Sequence, residues 1–581
     1  MHPKLKSVFS FTLALTLLIL PANQALAASP RPVESDNGMV VTAHRLASQA
    51  GIEVLKNGGN AVDAAVAVGY VLAVVYPSAG NIGGGGFMTI RLNDGKTAFL
   101  DFRERAPLAA TKTMYQDKSG NVVKGLSTVG YLAVGVPGSV MGLETAREKY
   151  GTKPREELMA AAIRLAKDGF TLEQGDVLTL NSGAKKLGKD KAAAAIFIKT
   201  DGKPFAVGDQ LKQPELAASL AGISKDGPDA FYKGAIADAI VKASTAKGGI
   251  LAKADFEQYS VRELNPIKCN YRGYEIVSSP PPSSGGVIIC EILNILEGYP
   301  LAHLGTESSE TVHYMVEAMR YAYADRNAAL GDPDFIKNPV ETLTDKAYAA
   351  KIRAAIEPFR AGKSDDINPL GLAESNETTH YSIVDKDGNA VAVTYTLNGT
   401  FGAGVVADGT GILLNNEMDD FTSKPGVANL YGLVQGEANA IAPKKTPLSS
   451  MSPTIVTKDG KLFMVIGSPG GARIITITLE AIINVIDHGM NIQEAIDAPR
   501  IHHQWQPDKV FMEPFALSRD TRKLMSEMGH DVNIDFDWPV WGQAAGILIG
   551  GKSIEEIDSG DGMRLNGAMD SRSVSGKAVG Y

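Results

Sequence analysis

The sequence predicts an α+β chain of layered construction, and three observations carry that prediction. Two Asp-Gly dipeptides, Asp387-Gly388 and Asp459-Gly460, each lie between β-prone runs, the strongest short-range hairpin signal. Apolar residues recur at helical spacing in long stretches such as Arg155 to Phe170 and Ser308 to Asp332. The chain of 581 residues also exceeds one ordinary hydrophobic core, which stops growing at about 250–300 residues, so one large layered sandwich or two domains must accommodate it. With 44% hydrophobic and 21% charged residues and a net charge of -8, the composition is globular and lacks the basic excess that attracts nucleic acid.

Taken in order, the first residues read as a targeting signal. Lys4 and Lys6 precede an apolar run from Val8 to Leu20, Pro21 breaks it, and Ala25-Leu26-Ala27 offers small residues for cleavage after Ala27. The run falls short of the roughly 20 residues a bilayer core requires, which argues against an anchor, so a periplasmic or secreted location is expected. Ala61 to Pro77, rich in alanine and interrupted by Asp63, reads as a helix buried between layers. Arg155 to Phe170 closes on a glycine stop signal, and Ser308 supplies a start signal before Glu310. Between those helices, "SSPPPSSGGV" (Ser278 to Val287) is expected as a rigid connector rather than a polyproline ligand. Arg360 to Glu377 combines charge, glycine and proline without periodicity and is expected as an exposed or mobile loop, where chains are nicked.

Immediately after that loop comes "TTHYSIVDKDGNAVAVTYTLN". A two-residue Asp387-Gly388 loop would set Lys386 against Asn389, Thr379 against Thr396 and Thr378 against Leu397, returning Thr396 and Asn398 to the neighbourhood of Thr378. The second hairpin, counted from Asp459-Gly460, sets Ser449 against Gly470 and Ser450 near Gly471, with Pro453 hinting at an edge position or a bulge. "GSPGGARIIT" then runs from a Gly-Gly turn into an apolar helix, a geometry whose amides point at an anion or a developing oxyanion. A serine-hydrolase elbow fits poorly, because the serine of "GSPGG" is misplaced and no histidine lies nearby. A threonine hydroxyl needs a base, and an α-amino group with a pKa of about 7.7–8.0 can serve if the threonine becomes an N-terminus. The loop ending at Glu377 offers a place for that cut.

The two cysteines, Cys269 and Cys290, could pair in an oxidising compartment, but sequence leaves the pairing open. The nine histidines are scattered, with no His-Glu-x-x-His run, so no metal site is expected.

These residues resemble the γ-glutamyltranspeptidases, which are N-terminal-nucleophile hydrolases. The blocks "TTHYSIVDKDGNAVAVTYTLN", "GILLNNEMDDF", "PLSSMSPTIV", "GSPGGARIIT", "LDFRERAP" and "PPPSSGGV" all look like that family's, and they span the mature chain. The resemblance implies a four-layer αββα sandwich built from two chains after self-cleavage: a leader of residues 1–27, a large fragment of 28–377 and a small fragment of 378–581. It implies Thr378 as nucleophile, freed by a cut between Glu377 and Thr378, and Thr396 as the threonine that hydrogen-bonds it. Asn398, Glu417 and Asp420 would hold the α-amino group of a glutamyl substrate. Arg103, Ser449 and Ser450 would hold its α-carboxylate, Gly470 and Gly471 would supply oxyanion amides, and Tyr431 would sit on a lid loop. Chemistry agrees, since a glutamyl head carries an ammonium and a carboxylate on one carbon and needs acids on one side and an arginine fork or hydroxyls on the other; in sequence alone Arg105 competes with Arg103.

The expected activity is transfer of a γ-glutamyl group from glutathione or a similar amide to water, an amino acid or a dipeptide, without metal or organic cofactor. Expected partners are those small molecules and the two fragments of one precursor, with no nucleic acid and no membrane span. An acceptor site could involve Trp538 and Trp541, although packing is the simpler role for them. The nearest alternative is a cephalosporin or glutaryl acylase of the same superfamily, and a more distant one is a periplasmic amino-acid-binding protein.

Overall fold

The computed structural model describes residues 29–367, 378–425, 427, 436–536, 541–550 and 564–581. In chain order its strands are β1 (Val33–Ser35), β2 (Met39–Thr42), β3 (Gly85–Arg91), β4 (Thr97–Asp101), β5 (Phe170–Thr171), β6 (Gln210–Leu211), β7 (Arg262–Leu264), β8 (Ile267–Tyr271), β9 (Tyr274–Ser278), β10 (Thr379–Val384), β11 (Ala390–Thr396), β12 (Thr454–Lys458), β13 (Lys461–Gly467), β14 (Ile501–His502), β15 (Val510–Met512), β16 (Val532–Ile534), β17 (Ala545–Ile549), β18 (Leu565–Met569) and β19 (Lys577–Gly580). Fourteen of them form two seven-stranded antiparallel sheets, ordered β1-β18-β17-β13-β12-β9-β8 and β19-β2-β10-β11-β3-β4-β7.

The period-2 alternation of each strand explains why there are four layers. From β10 and β11, Val384, Ala390 and Ala392 meet Ile455, Val465 and Ile547 of the other sheet in a core between the sheets. The alternate residues Tyr381, Ile383, Val391 and Val393 face outward onto helices that include Ala61–Val75. On the opposite side Val456, Met464 and Ile466 face outward onto the helices Gly285–Leu296, Ser309–Ala329 and Arg473–Ile486. The architecture is therefore the expected αββα sandwich, with a helix layer covering each outer sheet face.

The helix expected from Ala61 runs from Ala61 to Val75 with every residue buried, and Asn60 and Asp63 form a reciprocal capping box. It needs no polar stripe because neighbours cover it all round. Ser308 caps the helix Ser309–Ala329, and Gly169, at φ 88, ends Arg155–Asp168. Cys269 and Cys290 form a disulfide that ties β8 to the helix above it, with Cα atoms 5.9 Å apart. Among the described residues no helix is long and apolar enough to cross a membrane. The leader, residues 1–27, lies outside the described residues.

Two sequence expectations need correction. The first hairpin pairs Thr379 with Tyr395 and Val384 with Ala390, one residue away from the expected register. Its loop has five residues because the Asp385 carboxylate accepts the amides of Asp387 and Asn389, so a side chain closes the turn that the Asp-Gly dipeptide was expected to close alone. The second hairpin starts in the expected register at Lys458 and Lys461, then slips by one between Val456 and Thr457, so the count to Ser449 is displaced. Of the two readings offered by Pro453, which directly precedes β12, the bulge holds and the edge position does not, since β12 lies inside the sheet. The described part of the stretch expected as an exposed loop is indeed mostly exposed, with Ser364, in the short 3-10 turn Ser364–Asp366, as its one buried residue.

Candidate active site

Thr378 stands one residue before β10 and is 8% exposed. Extending the observed pairing by one step sets it across from Thr396, the last residue of β11. By alternation Thr378 shares the face of His380, which bonds Thr394 at 2.8 Å, and of Ser382, which donates to the Ala545 carbonyl at 3.0 Å in the other sheet. Both threonines thus belong to the face between the sheets. The His380 ring packs on Gly467, where a Cβ would come within 2.4 Å of it, so Thr378 lies on the rim at which β13 ends.

Beyond Gly467 the chain turns through Ser468-Pro469-Gly470-Gly471 into the helix Arg473–Ile486. Gly470 and Gly471 have φ values of 130° and 55°, left-handed conformations that an L side chain rarely tolerates. Their carbonyls accept the amides of Arg473 and Ile474 and so start the helix, while neither of their own amides donates to a described backbone acceptor. Tyr323 steadies the turn by donating to the Ala472 carbonyl at 2.5 Å.

At the other end of the hairpin, Thr396 Oγ1 accepts the Asn398 amide at 2.8 Å. Asn398 adopts a left-handed φ of 69°, and its side chain donates to the Asn416 carbonyl at 2.9 Å. Asn416 returns the contact, its side chain accepting Gly399 N–H at 2.8 Å, so the end of β11 is stapled to the turn Glu417–Asp420. Behind it the Asn81 amide donates to the Thr396 carbonyl at 2.8 Å and accepts from Ser139 at 2.7 Å.

The acidic turn meets Arg103, which follows β4 and is 2% exposed. Its guanidinium spans two carboxylates, pairing with Glu417 at 2.6 Å and with Asp420. It also reaches the carbonyls of Pro447 and Leu448, just ahead of Ser449 and Ser450. Burial disfavours the charge, but Glu417, Asp420 and Glu104 more than offset that and hold Arg103 above the usual guanidinium range. The acids respond oppositely: burial pushes Glu104 up to about 7 despite the nearby Arg103, and burial raises Glu417 well above the carboxylate range. Arg105 is partly exposed and stacks on Tyr259 at 5.4 Å, which separates the two arginines that sequence left equal.

Ser449 and Ser450 are both buried. The expected connector grips them, with Ser284 N–H and Oγ donating to the Ser449 carbonyl at 2.7 and 2.8 Å. Ser450 Oγ accepts from Arg326 at 3.2 Å. This second buried arginine, lowered to about 10 by burial, was not anticipated. Its signal was the triplet Asp325-Arg326-Asn327, polar and buried inside a helix. Glu104 and Asn81 were missed as well.

Two carboxylates, two arginines, two serine hydroxyls, two glycine amides and two threonines therefore converge, on the rim of the sandwich and in the loops stapled to it. Such a set can hold a zwitterionic head and stabilise an oxyanion. Glu377 and Tyr431 lie outside the described residues, as does Trp538. Trp541 is buried, with the Arg473 guanidinium 4.1 Å from its ring centre, in keeping with a packing role.

The family model described as Gamma-glutamyltranspeptidase matches residues 47–580. The chain is 60% identical to a glutathione hydrolase proenzyme of Pseudomonas sp. (strain A14), with 99% of each chain covered. To the glutathione hydrolase proenzyme of Escherichia coli (strain K12) it is 50% identical, covering 95% of this chain and 93% of the relative. Among solved structures it resembles a cephalosporin acylase from Bacillus halodurans, with a TM-score of 0.82, 27% identity and 97% and 99% coverage.

Proposed function

The chain belongs to the γ-glutamyltranspeptidase family, and from that membership we propose that it is a self-cleaving glutathione hydrolase and γ-glutamyltransferase with Thr378 as its nucleophile. The observation that carries the substrate assignment is the buried grouping of Arg103 with Glu417 and Asp420 beside Ser449 and Ser450. A head group bearing both charges can exchange partners there, its carboxylate taking the arginine fork and the hydroxyls, its ammonium taking the acids and Asn398.

In maturation, Thr378 Oγ attacks the Glu377 carbonyl carbon, the C–N bond breaks, and the hydroxyl proton ends on the new α-amine. Water then hydrolyses the ester and leaves a carboxylate on Glu377. In turnover the same oxygen attacks the γ-carbonyl of a γ-glutamyl amide while the α-amine relays the proton to the leaving amine. Gly470 and Gly471 amides receive the oxyanion, and each such donor is worth about a hundredfold to a thousandfold in turnover. Thr396 orients the nucleophile, and water or an amino acid or dipeptide amine takes the acyl group. We further place the mature enzyme outside the cytoplasm after removal of residues 1–27, with fragments 28–377 and 378–581 remaining associated and Tyr431 on a lid.

The fold shared with a cephalosporin acylase keeps a glutaryl acylase as the second reading. A glutaryl group has no ammonium to engage Asp420 or Glu417, which favours the glutamyl assignment. Side-by-side hydrolysis of γ-glutamyl and glutaryl anilides tests it: preference for the glutamyl compound is expected, and activity on the glutaryl compound alone would sink the assignment.

A further inference from the structure

Outside the glutamyl cluster, two histidines and a carboxylate meet in a buried group. His313 and Glu317 lie one turn apart on the helix Ser309–Ala329, so their side chains share a face. His530 reaches them from the turn between the helix Arg519–Glu527 and β16, 217 positions after His313. His313, Glu317 and His530 are 0%, 2% and 5% exposed, and one ligand-capable atom from each lies within 4.8 Å of the other two. The fold, and no local run of residues, brings in the third member, which is why the sequence alone predicts no metal site.

His313 and Glu317 each have one atom tied down and another available to a ligand. His313 Nε2 lies 2.8 Å from the Glu357 carbonyl, which can only accept, so the ring proton sits there and Nδ1 keeps its lone pair. That lone pair faces His530 Nε2 at 2.8 Å. Glu317 Oε1 accepts from Arg320 at 3.3 Å and from Gly362 N–H at 3.2 Å. Its Oε2 takes no hydrogen bond among the described residues and lies beneath exposed Gly362, where a Cβ would come within 2.7 Å of it. A carbonyl behind an imidazole and fixed donors behind a carboxylate are what orient ligands around a metal. His530 Nδ1 has no hydrogen-bond partner among the described residues, so this ring can move its proton there and turn the Nε2 lone pair to an ion. Arg320 does not take the ion's place: it touches only Oε1 and is itself offset by Asp508, which leaves Glu317, Arg320 and Asp508 with one net negative charge.

We propose that His313 Nδ1, His530 Nε2 and Glu317 Oε2 form a binding site for one first-row divalent metal ion, with Zn2+ the best fit. Two imidazoles and one carboxylate are a ligand set that Zn2+ accepts, with water in the fourth position. Bonds of about 2.0–2.2 Å to such ligands need the two nitrogens to part slightly from their 2.8 Å contact, a small movement of the His530 ring. The ion's role is that of a staple. On the proposed cut, His313 and Glu317 belong to the large fragment and His530 to the small one, so one ion joins the two. That consequence rests on the maturation step above, whereas the binding site does not.

The test is calorimetric titration of ZnCl2 into the chelator-stripped protein, in wild type, H530Q and E317Q, with Tm measured on each. One Zn2+ per chain is expected in wild type, with affinity at least about tenfold weaker in each variant. Absence of stoichiometric binding in wild type overturns the proposal, and so does equal affinity in all three, which marks adventitious binding at the surface. If a variant fails to fold, the Co2+ form of the wild type decides: the intense visible absorption of a tetrahedral complex is expected, and the weak absorption of six-coordinate Co2+ overturns the site. Zn2+ should also raise the urea concentration at which the two fragments separate, and an unchanged midpoint overturns the staple. T378A, which the maturation reading keeps uncut, should bind Zn2+ as wild type does. A wild-type chain that stays uncut while binding one Zn2+ overturns the maturation reading and upholds the site.

Discussion

Thr378 is buried on the face between the sheets, and in the proposed mechanism its chemistry depends on gaining a free amine there. The T378A precursor is expected to remain one chain without hydrolase activity, as intact mass and a γ-glutamyl anilide assay would read directly. Arg103 carries a heavier structural share, because it is the counter-ion of two buried acids. Replacement by methionine should cost about 3–5 kcal/mol in urea unfolding, the usual penalty for stranding one side of a buried ion pair; Arg103→Lys keeps the charge and should instead raise KM for the glutamyl donor by losing the fork. The residues most legible in the sequence were those joined to a turn signal or a hydroxyl pair: Thr378, Thr396, Ser449, Ser450 and the two glycines. Arg326 and Glu104 were not, because their role comes from what surrounds them. Arg326 reaches Ser450 from a helix more than a hundred positions earlier in the chain, and no local pattern reports that.

At the scale of elements, the β10–β11 hairpin was visible but its register was not. The Asp385 carboxylate binds the loop amides and also caps the helix Ala61–Val75 by accepting Ala61 N–H at 2.9 Å. Hydrogen bonds to a charged group contribute about 1.5–3 kcal/mol each, less when relaxation lets water in, so Asp385→Ala should lower the unfolding free energy by roughly 2–4 kcal/mol in urea titration. The helix Arg473–Ile486 makes a pH prediction. Burial pushes Glu480, on that helix, from 4.5 up to about 8, although the Ile501 amide and Arg500 pull it back. Between about pH 4.5 and 8 the folded chain keeps this proton and the unfolded chain has released it, so stability is fully present below that window and falls as pH rises through it. Urea midpoints should therefore decline from pH 5.5 to 8.5, and E480Q should flatten that decline.

For the whole molecule, the four-layer order was foreseeable only through the family resemblance. Period-2 strands and amphipathic helices report which faces are apolar, but not which sheet a strand joins, since that is decided by partners hundreds of residues away. A cut before Thr378 would leave β10 and β11 flanked by β2 and β3 of the other fragment, with β19 beyond β2. Native size-exclusion chromatography of the cleaved protein should therefore return one peak holding both fragments, which separate only in denaturant.

That interleaving also sets an order of events. On the proposed cut neither fragment owns a complete sheet, and two separately synthesised pieces would each expose open strand edges that invite aggregation. The continuous chain must reach its folded state first and be severed second. The two-fragment form is thus a lasting record that folding succeeded, since a misfolded copy has no assembled rim on which to cut itself.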